Sequence, residues 1–319
     1  MDFKTRLLLS AIIRYMETDR RTAGHKGRDM EYKKIKRKKR RRRNAVWLTL
    51  GVWLARLLFV AALLFGIRGL WVTFAPSSEQ RWEAYNITLP EEHTQTEVME
   101  KLVELAEDNP KIQKICQDTS LYPEALLAAL VNNPEMADFV LGYPKSDGST
   151  GKLSLSERYE DHPLFLQWDK RWGYAPYGED CIGLSGCGPT CLSMVLFYLT
   201  GDASLTPDAV ATFSTKNGYY VEGTGTAWAL MEDLPKRYGI SVKEVSASQE
   251  AMEAALDRGE LLICAMGKGY FTTQGHFIVL YGYDKDGFFV NDPNSMARSK
   301  IKWKFSDIQY QMRKIWAYC

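Results

Sequence analysis

Cysteine and histidine are both scarce in this sequence, which limits the kinds of site that it can build. The 319 residues include 6 cysteines and 4 histidines. The cysteines are too few and too widely spaced for a disulfide framework to define the fold. No Cys-x-x-Cys pair and no closely spaced pair of histidines occurs, so the ligand spacing of zinc sites is missing as well. We therefore expect no zinc site.

The dipeptide Gly151-Lys152 resembles part of a phosphate-binding loop, but the rest of that motif is not present. Gly151-Lys152 would need a glycine five positions before Gly151 and a Ser or Thr after the lysine to form such a loop. The sequence has Ser146 and Leu153 at these positions. The run of turn-forming residues from 143 to 152 is therefore predicted to be a linker.

Charge of one sign is concentrated in a single block. Residues 33–43 are basic at every position except Ile35, while the whole chain has a net charge of only +2. Residues 45–67 read AVWLTLGVWLARLLFVAALLFGI, which at about 1.5 Å per residue is long enough to cross a hydrocarbon core of roughly 30 Å. Arg56 opposes insertion by about 2.5–3.5 kcal/mol, which the apolar residues outweigh. We predict a transmembrane helix within residues 45–75.

The position of the basic block predicts the topology. Positive residues flank the cytoplasmic end of membrane spans, so residues 1–44 are predicted to form a cytoplasmic tail and the chain after residue 75 to be extracellular. The stretch before the apolar segment is too long for a cleaved signal peptide, which favours an uncleaved single-pass anchor in the cell membrane. Beside such an anchor, the basic block is expected to contact anionic membrane lipid rather than nucleic acid.

The exported region has helical periodicity in several places. Between residues 97 and 141, apolar residues recur at helical spacing with breaks at Asn109-Pro110 and Asn133-Pro134, which predicts three or four short helices. We interpret residues 76–150 as a helical spacer and linker that holds the following domain off the membrane. Residues 223–234 and 246–258 are predicted to be helices that pack on the core of that domain.

Cys187 stands in the segment SGCGPTCLSMVL, residues 185–196. Pro189 is tolerated in a first helical turn and an apolar stripe follows it, so Cys187 is predicted to lie at a helix N-terminus. The unpaired N–H groups and the helix dipole at that end favour a thiolate. The glycines on both sides of Cys187 are expected to let a substrate backbone come close. Cys191 and Cys264 are interpreted as small buried apolar residues.

A nucleophilic thiol needs a base, and His276 is the best placed histidine. From residue 151 onward the sequence contains only His162 and His276, and His162 precedes a proline in a predicted loop. His276 opens the segment HFIVLYGY, and the turn DKDG leads back into FFVND, which predicts a β-hairpin. Asp292 ends the return strand, where an acid can hold the imidazole in the tautomer that faces the thiol. Cys187, His276 and Asp292 are therefore predicted to form a catalytic triad.

Four segments together resemble a known family. They are QWDKRW at 167–172, SGCGPTCLSMVL at 185–196, GHFIVLYGYD at 275–284 and VNDP at 290–293. This ordered set resembles the C39-like peptidase family, in the papain-like group of cysteine peptidases. The resemblance implies an α+β domain, assigned to residues 151–319, in which a helix bearing the nucleophile packs on an antiparallel sheet bearing the histidine and the aspartate.

The same resemblance implies a role for each site residue. Cys187 would be the nucleophile, His276 the base and Asp292 its orienting partner. C39 processing peptidases usually place a glutamine shortly before the cysteine as an oxyanion donor, but residues 181–186 contain none. Gln167 is the nearest glutamine upstream and is the candidate donor. The alternative is the backbone N–H of Cys187 together with another group.

The expected reaction is hydrolysis of a peptide or amide bond through a thioester on Cys187, with a peptide or a cell-wall cross-link as substrate. This reaction is expected to need no metal and no organic cofactor. Two alternatives remain open. The same triad would suit a cell-wall amidase or transpeptidase, and a catalytically inactive surface module could bind peptides or wall polymers. Presence of all three triad residues favours an enzyme, whereas the missing proximal glutamine favours an inactive module. A bacterial cell surface is the expected location.

Overall fold

The computed structural model divides into two compact units, residues 1–77 and residues 78–319. The structure describes residues 51 and 53–62 of the first unit and residues 87–319 of the second. Residues 53–62 are helical, with exposed side chains. Within these described ranges, no helix has the length and apolar character that a membrane span requires. The predicted cytoplasmic tail, residues 1–44, lies outside the described residues, as does most of the predicted transmembrane segment, residues 45–75.

Short α-helices occupy the segment that was predicted to be helical before the linker. The four are α1 (Gln95–Asp108), α2 (Pro110–Cys116), α3 (Glu124–Asn132) and α4 (Ala137–Gly142). Thr94 and Glu97 form a reciprocal capping box at the start of α1, and the Asn109 side chain caps α2. The number of helices and the breaks at Asn109 and Asn133 agree with the sequence prediction.

These four helices pack on the domain that follows them. Their shared apolar core includes Phe139 and the buried Cys181, and Leu184 packs against it. The ring of Phe139 stacks on Tyr174, with 4.5 Å between ring centroids, and the Tyr174 hydroxyl donates to the Phe139 carbonyl at 2.8 Å. The helices are therefore in direct contact with the rest of residues 78–319, and the domain boundary at residue 151 stays a prediction.

A six-stranded antiparallel sheet forms the centre of the C-terminal part, with strand order β5-β10-β6-β7-β8-β9. Its strands are β5 (Val242–Glu244), β6 (Leu261–Gly267), β7 (Gly275–Asp284), β8 (Gly287–Asn291), β9 (Lys302–Trp303) and β10 (Met312–Tyr318). Two small hairpins lie outside the sheet, β1 (Pro176–Tyr177) with β2 (Asp180–Cys181), and β3 (Tyr220–Val221) with β4 (Gly225–Thr226). The predicted hairpin of His276 is confirmed as the pair β7 and β8.

The helices around the sheet begin shortly before Cys187. They are α5 (Ile182–Ser185), α6 (Cys187–Thr200), α7 (Pro207–Lys216), α8 (Leu230–Arg237), α9 (Gln249–Asp257), α10 (Met296–Lys300) and α11 (Phe305–Ile308). Helix α6 ends at Gly201, whose φ of +69° is the left-handed conformation that glycine adopts without strain. The predicted helix that starts at Cys187 is therefore confirmed.

Strand β6 separates two apolar cores. Every residue of β6 is buried, and successive side chains point to opposite faces of the sheet. Leu261, Ile263 and Ala265 contribute to the core that contains α6 and Cys191. Their neighbours Leu262, Cys264 and Met266 contribute to a second core that contains residues of α9. Helices thus cover both faces of the sheet, in agreement with the expected α+β fold.

The helix predicted over residues 223–234 is wrong in its first half. The structure has β4 at Gly225–Thr226, and the helix α8 begins only at Leu230. Gly223 and Gly225 have φ values of +69° and +92°. Such left-handed backbone suits the turn of a hairpin and is incompatible with the interior of a helix.

Candidate active site

Cys187 is the first residue of α6, and it is partly exposed. The short helix α5 precedes it, and Gly186 lies between the two helices as the N-cap of α6. The first N–H groups of a helix have no carbonyl partner within it, and together with the helix dipole they favour a negative charge at this end. The chain geometry thus presents the Cys187 thiol where a thiolate is stabilised.

The two glycines beside Cys187 serve packing within the protein. A Cβ on Gly186 would lie 2.4 Å from Cγ2 of Ile182, and a Cβ on Gly188 would lie 2.6 Å from Oγ1 of Thr226. Both distances are below any real Cβ contact. The space that a Cβ would take at either glycine is thus already occupied by other residues of the protein. The expectation that these glycines let a substrate backbone come close stays a prediction.

His276 and Asp292 are brought together by the hairpin of β7 and β8. Val279 lies opposite Asn291 in the register, so Asp292 continues β8 toward the start of β7, where His276 stands. The Nε2 atom of His276 is 2.8 Å from Oδ1 of Asp292. His276 is 7% exposed and Asp292 is 0% exposed, so water does not weaken their interaction.

The charges of this pair are fixed by its surroundings. Burial alone lowers the pKa of His276, but the Asp292 carboxylate and the Cys187 thiol outweigh burial and raise this pKa to about 9. Burial raises the pKa of Asp292, yet the charges of Arg298 and His276 lower it to about 2. Near neutral pH the imidazole therefore holds its proton and the carboxylate is ionised.

The Cys187 thiol lies close enough to His276 to raise the pKa of its imidazole. Because Nε2 of His276 is engaged with Asp292, the other ring nitrogen, Nδ1, is the one left to face the thiol. The structure thus brings together the three residues that the sequence predicts as a triad. The arrangement can hold a thiolate beside an imidazolium and return the proton to a leaving group.

Arg298 belongs to this site as well, and the sequence analysis did not identify it. Its Nε atom is 2.5 Å from Oδ2 of Asp292, and the residue is only 2% exposed. The backbone N–H of Asn294 donates to Oδ1 of the same carboxylate at 2.8 Å. Asp292 is therefore held by two charged partners and one backbone donor. A lone arginine in the polar segment NSMARSK gave no signal of this role.

Gln167 lies near the triad, but its side-chain amide donates to backbone carbonyls that precede Cys187. Its backbone N–H donates to the Pro293 carbonyl at 2.7 Å. Its side-chain Nε2 donates to the carbonyls of Gly183 and Leu184, at 2.9 and 3.2 Å. Its buried Oε1 has no hydrogen-bond partner within residues 87–319. The amide N–H groups are thus already engaged, and the oxyanion role of Gln167 stays a prediction.

The remaining cysteines differ from Cys187. All six cysteines lie within residues 87–319, and each is a free thiol. Cys191 and Cys264 are 0% exposed, and burial raises the pKa of both thiols. Cys319 is exposed at the end of the sequence. Burial therefore keeps Cys191 and Cys264 protonated and out of reach of a substrate, as the sequence interpretation expected.

Comparison with known proteins points to one family. A family model described as the Peptidase_C39 like family matches residues 159–318. The peptidase domain of Streptococcus ComA, described as a bi-functional ABC transporter involved in a quorum sensing pathway, is 16% identical with a TM-score of 0.35, over 49% of this chain and 96% of that one. A structure described as a C39-like peptidase from Bacillus anthracis is 16% identical with a TM-score of 0.34, over 53% of this chain and 98% of that one. No curated protein matches the sequence.

Proposed function

Because the chain belongs to the Peptidase_C39 like family, we propose that it is a membrane-anchored, extracellular cysteine peptidase that hydrolyses peptide or amide bonds. The observation that carries this proposal is the Cys187 thiol at the start of α6, which acts on a His276 imidazole that is paired at 2.8 Å with the buried Asp292. Each group has the position that its chemical role requires.

The reaction that these groups support has two steps. The Cys187 thiolate attacks the carbonyl carbon of the scissile bond, and the His276 imidazolium gives its proton to the leaving amine as the C–N bond breaks. The acyl group remains on Sγ as a thioester. A water molecule then loses a proton to His276 and attacks the thioester, which releases the carboxylic acid and restores the thiolate.

The proposed location rests on the sequence. The basic block at 33–43 followed by the apolar segment 45–67 supports a single-pass anchor with its N-terminus in the cytoplasm. The catalytic part would then face the outside of the cell, where peptides and cell-wall cross-links are the accessible amide substrates. We propose that the enzyme acts on one of these two classes.

Alkylation of the full chain in detergent tests the proposal. An iodoacetamide probe is applied from about pH 5 to about pH 9, and modified cysteines are identified by mass spectrometry. We expect Cys187 to react faster than the exposed Cys319, because Cys187 lies at the N-terminus of α6 beside His276. Cys319 thus serves as an internal reference for an exposed thiol in the same sample.

Two variants complete the experiment. Cys187→Ala should remove the fast phase, and His276→Ala should slow labelling of Cys187 to the rate of Cys319. If Cys187 in the unaltered chain reacts no faster than Cys319, the catalytic proposal fails and a surface module that binds peptides or wall polymers becomes the better explanation. A reactive Cys187 justifies a screen of peptide and cell-wall amide substrates, which separates peptidase from amidase activity.

A further inference from the structure

The N-terminal helices make direct hydrogen bonds to the loop that follows Asp292. Glu135, in the short turn between α3 and α4, accepts the N–H of Met296 on Oε2 at 2.7 Å. Its Oε1 accepts the N–H of Ala297 at 2.9 Å and the hydroxyl of Ser295 at 3.2 Å. The neighbouring Asn133 side chain donates to the Asn294 carbonyl. One carboxylate thus receives three hydrogen bonds from a loop about 160 residues further along the chain.

These hydrogen bonds are made at the start of α10. This helix has only 5 residues, and its Ser295 N-cap accepts the N–H of Arg298 at 3.1 Å. A helix this short is not stable by itself, so contacts from outside must fix its first turn. Glu135 supplies those contacts from a different part of the fold.

Helix α10 carries a residue that the catalytic site depends on. Arg298, in the first turn of α10, places its Nε 2.5 Å from Oδ2 of Asp292. The Asp292 N–H donates to the hydroxyl of Ser299, also in α10, at 2.9 Å. The helix is therefore attached to Asp292 at both its carboxylate and its backbone. Any displacement of the first turn of α10 moves both partners of Asp292.

We propose that Glu135 is a positioning residue for the catalytic aspartate: it fixes the first turn of α10 and, through Arg298 and Ser299, the place of the Asp292 carboxylate beside His276. The inference rests on the proposed function of the triad. It makes the N-terminal helices a part of the active site, in addition to the spacer that the sequence predicts.

A positioning role for Glu135 affects the titration of His276, which a purely structural role would leave unchanged. The groups that act on the His276 imidazole are Asp292 from the end of β8 and Cys187 from α6, with Arg298 of α10 on the far oxygen of Asp292. If Asp292 moves away from His276, the imidazolium loses a partner and gives up its proton at lower pH. The titration of His276 therefore reports on Glu135.

The experiment follows the four histidines of the full chain, in detergent, by NMR of the imidazole nitrogens. In the unaltered chain we expect His276 to titrate near 9. In Glu135→Gln, where an amide group with N–H donors replaces one acceptor oxygen, we expect this midpoint to fall by about 1 unit or more. The matched control is Glu97→Gln, because the Glu97 carboxylate also accepts a backbone N–H, from Thr94 at 2.7 Å, but within its own helix cap. This control should leave His276 unchanged.

A second variant covers the case in which Glu135→Gln fails to fold. Met296→Pro removes one N–H donor to Glu135 at the first position of α10, where proline is tolerated, and Ser295 before it already has the extended backbone that precedes proline. It should also lower the His276 midpoint. If the midpoint stays in place in a folded Glu135 or Met296 variant, the proposal is overturned.

The result of the His276 titration does not depend on the result of the Cys187 alkylation experiment. The imidazole titration needs no turnover and no reactive thiol. An unreactive Cys187 with a His276 midpoint that responds to Glu135 would reject the peptidase but keep the positioning role. A reactive Cys187 with an unresponsive His276 would reject the positioning role and keep the peptidase.

Discussion

Arg298 and Asp292 form a buried ion pair through Oδ2 of the carboxylate, while Oδ1 of the same carboxylate pairs with His276. Arg298 is 2% exposed and Asp292 is 0% exposed. Removing one member of a buried pair leaves an uncompensated charge, which typically destabilises a protein by about 3–5 kcal/mol. Because His276 still faces Asp292 when Arg298 is gone, the lower part of this range applies here.

Arg298→Met tests the contribution of the pair. We expect the free energy of unfolding, measured by urea denaturation, to fall by about 3 kcal/mol. Arg313→Met is the matched control, because Arg313 is exposed and its side chain bonds only to the Tyr310 carbonyl among the described residues. It should change stability by less than about 0.5 kcal/mol. Equal effects of the two substitutions would contradict a special role for Arg298.

The raised pKa of His276 makes stability depend on pH. Since the folded value is about 9 and the ordinary value is 6.5, the contribution of the protonated imidazole is fully present below pH 6.5 and is lost as pH rises through about 9. At about 1.4 kcal/mol per pKa unit, the loss is on the order of a few kcal/mol. Urea denaturation at several pH values should show this decline in the unaltered chain and a flatter profile in His276→Gln. A decline of equal size in both would assign it to other groups.

The contribution of Asp292 to stability depends on pH in the opposite direction, because it is lost as the pH falls. Asp292 has a folded pKa of about 2 and an ordinary value of 3.8, so its contribution is present above pH 3.8 and is lost as pH falls through about 2. The active site is thus expected to contribute most to stability between these two limits, where Asp292 and His276 are both charged.

At the residue scale, the sequence predicted the three members of the triad, Cys187, His276 and Asp292. A cysteine at a predicted helix start, a histidine at a strand start and an aspartate at the end of the next strand are readable from local pattern. Arg298 was not, because its role depends on where a five-residue helix is fixed by Glu135, far away in the sequence. The two glycines beside Cys187 were visible, but which side chains fill the space around them depends on tertiary packing.

At the scale of elements, α6 packs against the β3–β4 hairpin at the end that carries Cys187. A Cβ on Gly188 would approach Oγ1 of Thr226 to 2.6 Å and its Cβ to 2.8 Å. Tyr177 fixes Thr226 from the other side, with its hydroxyl 2.7 Å from Oγ1 of Thr226 and 2.9 Å from Oγ of Ser214. Thr226 therefore has little freedom to move away.

Gly188→Ala is expected to destabilise the protein by about 1–3 kcal/mol, the usual cost of an overpacked interior. Gly275→Ala is a suitable control, because that position has open space and no left-handed backbone. Thermal unfolding of the two variants provides the comparison. A Gly188→Ala variant as stable as Gly275→Ala would mean that the hairpin accommodates the extra methyl group.

The helices and strands that the sequence predicted correctly are those with a regular spacing of apolar residues and with turn or capping residues at their ends. Helix α6 has Pro189 in its first turn and Gly201 as its C-cap, and the hairpin β7–β8 turns at Asp284–Gly287, so local signals mark both. The order of strands was not readable, since β10, the last strand, inserts between β5 and β6. Such long-range pairing leaves no mark on local periodicity. The helix prediction is wrong at residues 223–229, because Gly223 and Gly225 adopt the left-handed backbone of a turn.

At the scale of the whole molecule, topology across the membrane is the open prediction. A membrane-impermeant maleimide should label the exposed Cys319 in intact cells if the catalytic part is extracellular. Ser10→Cys, which adds a thiol to the predicted cytoplasmic tail, should be labelled at that position only after lysis. The reverse pattern would contradict the predicted orientation, and recovery of the chain in the soluble fraction would contradict the anchor.

The contact between Phe139 and the glycines beneath it has an evolutionary consequence. A Cβ on Gly183 would lie 2.4 Å from Cζ of Phe139, and one on Gly173 would lie 2.8 Å from its Cε2. The sizes of residues 139, 173 and 183 are therefore coupled. A homologue with a larger residue at 173 or 183 must have a smaller residue at 139. Across homologues we expect these three positions to vary together, and the helices to be gained or lost with the surface that receives them.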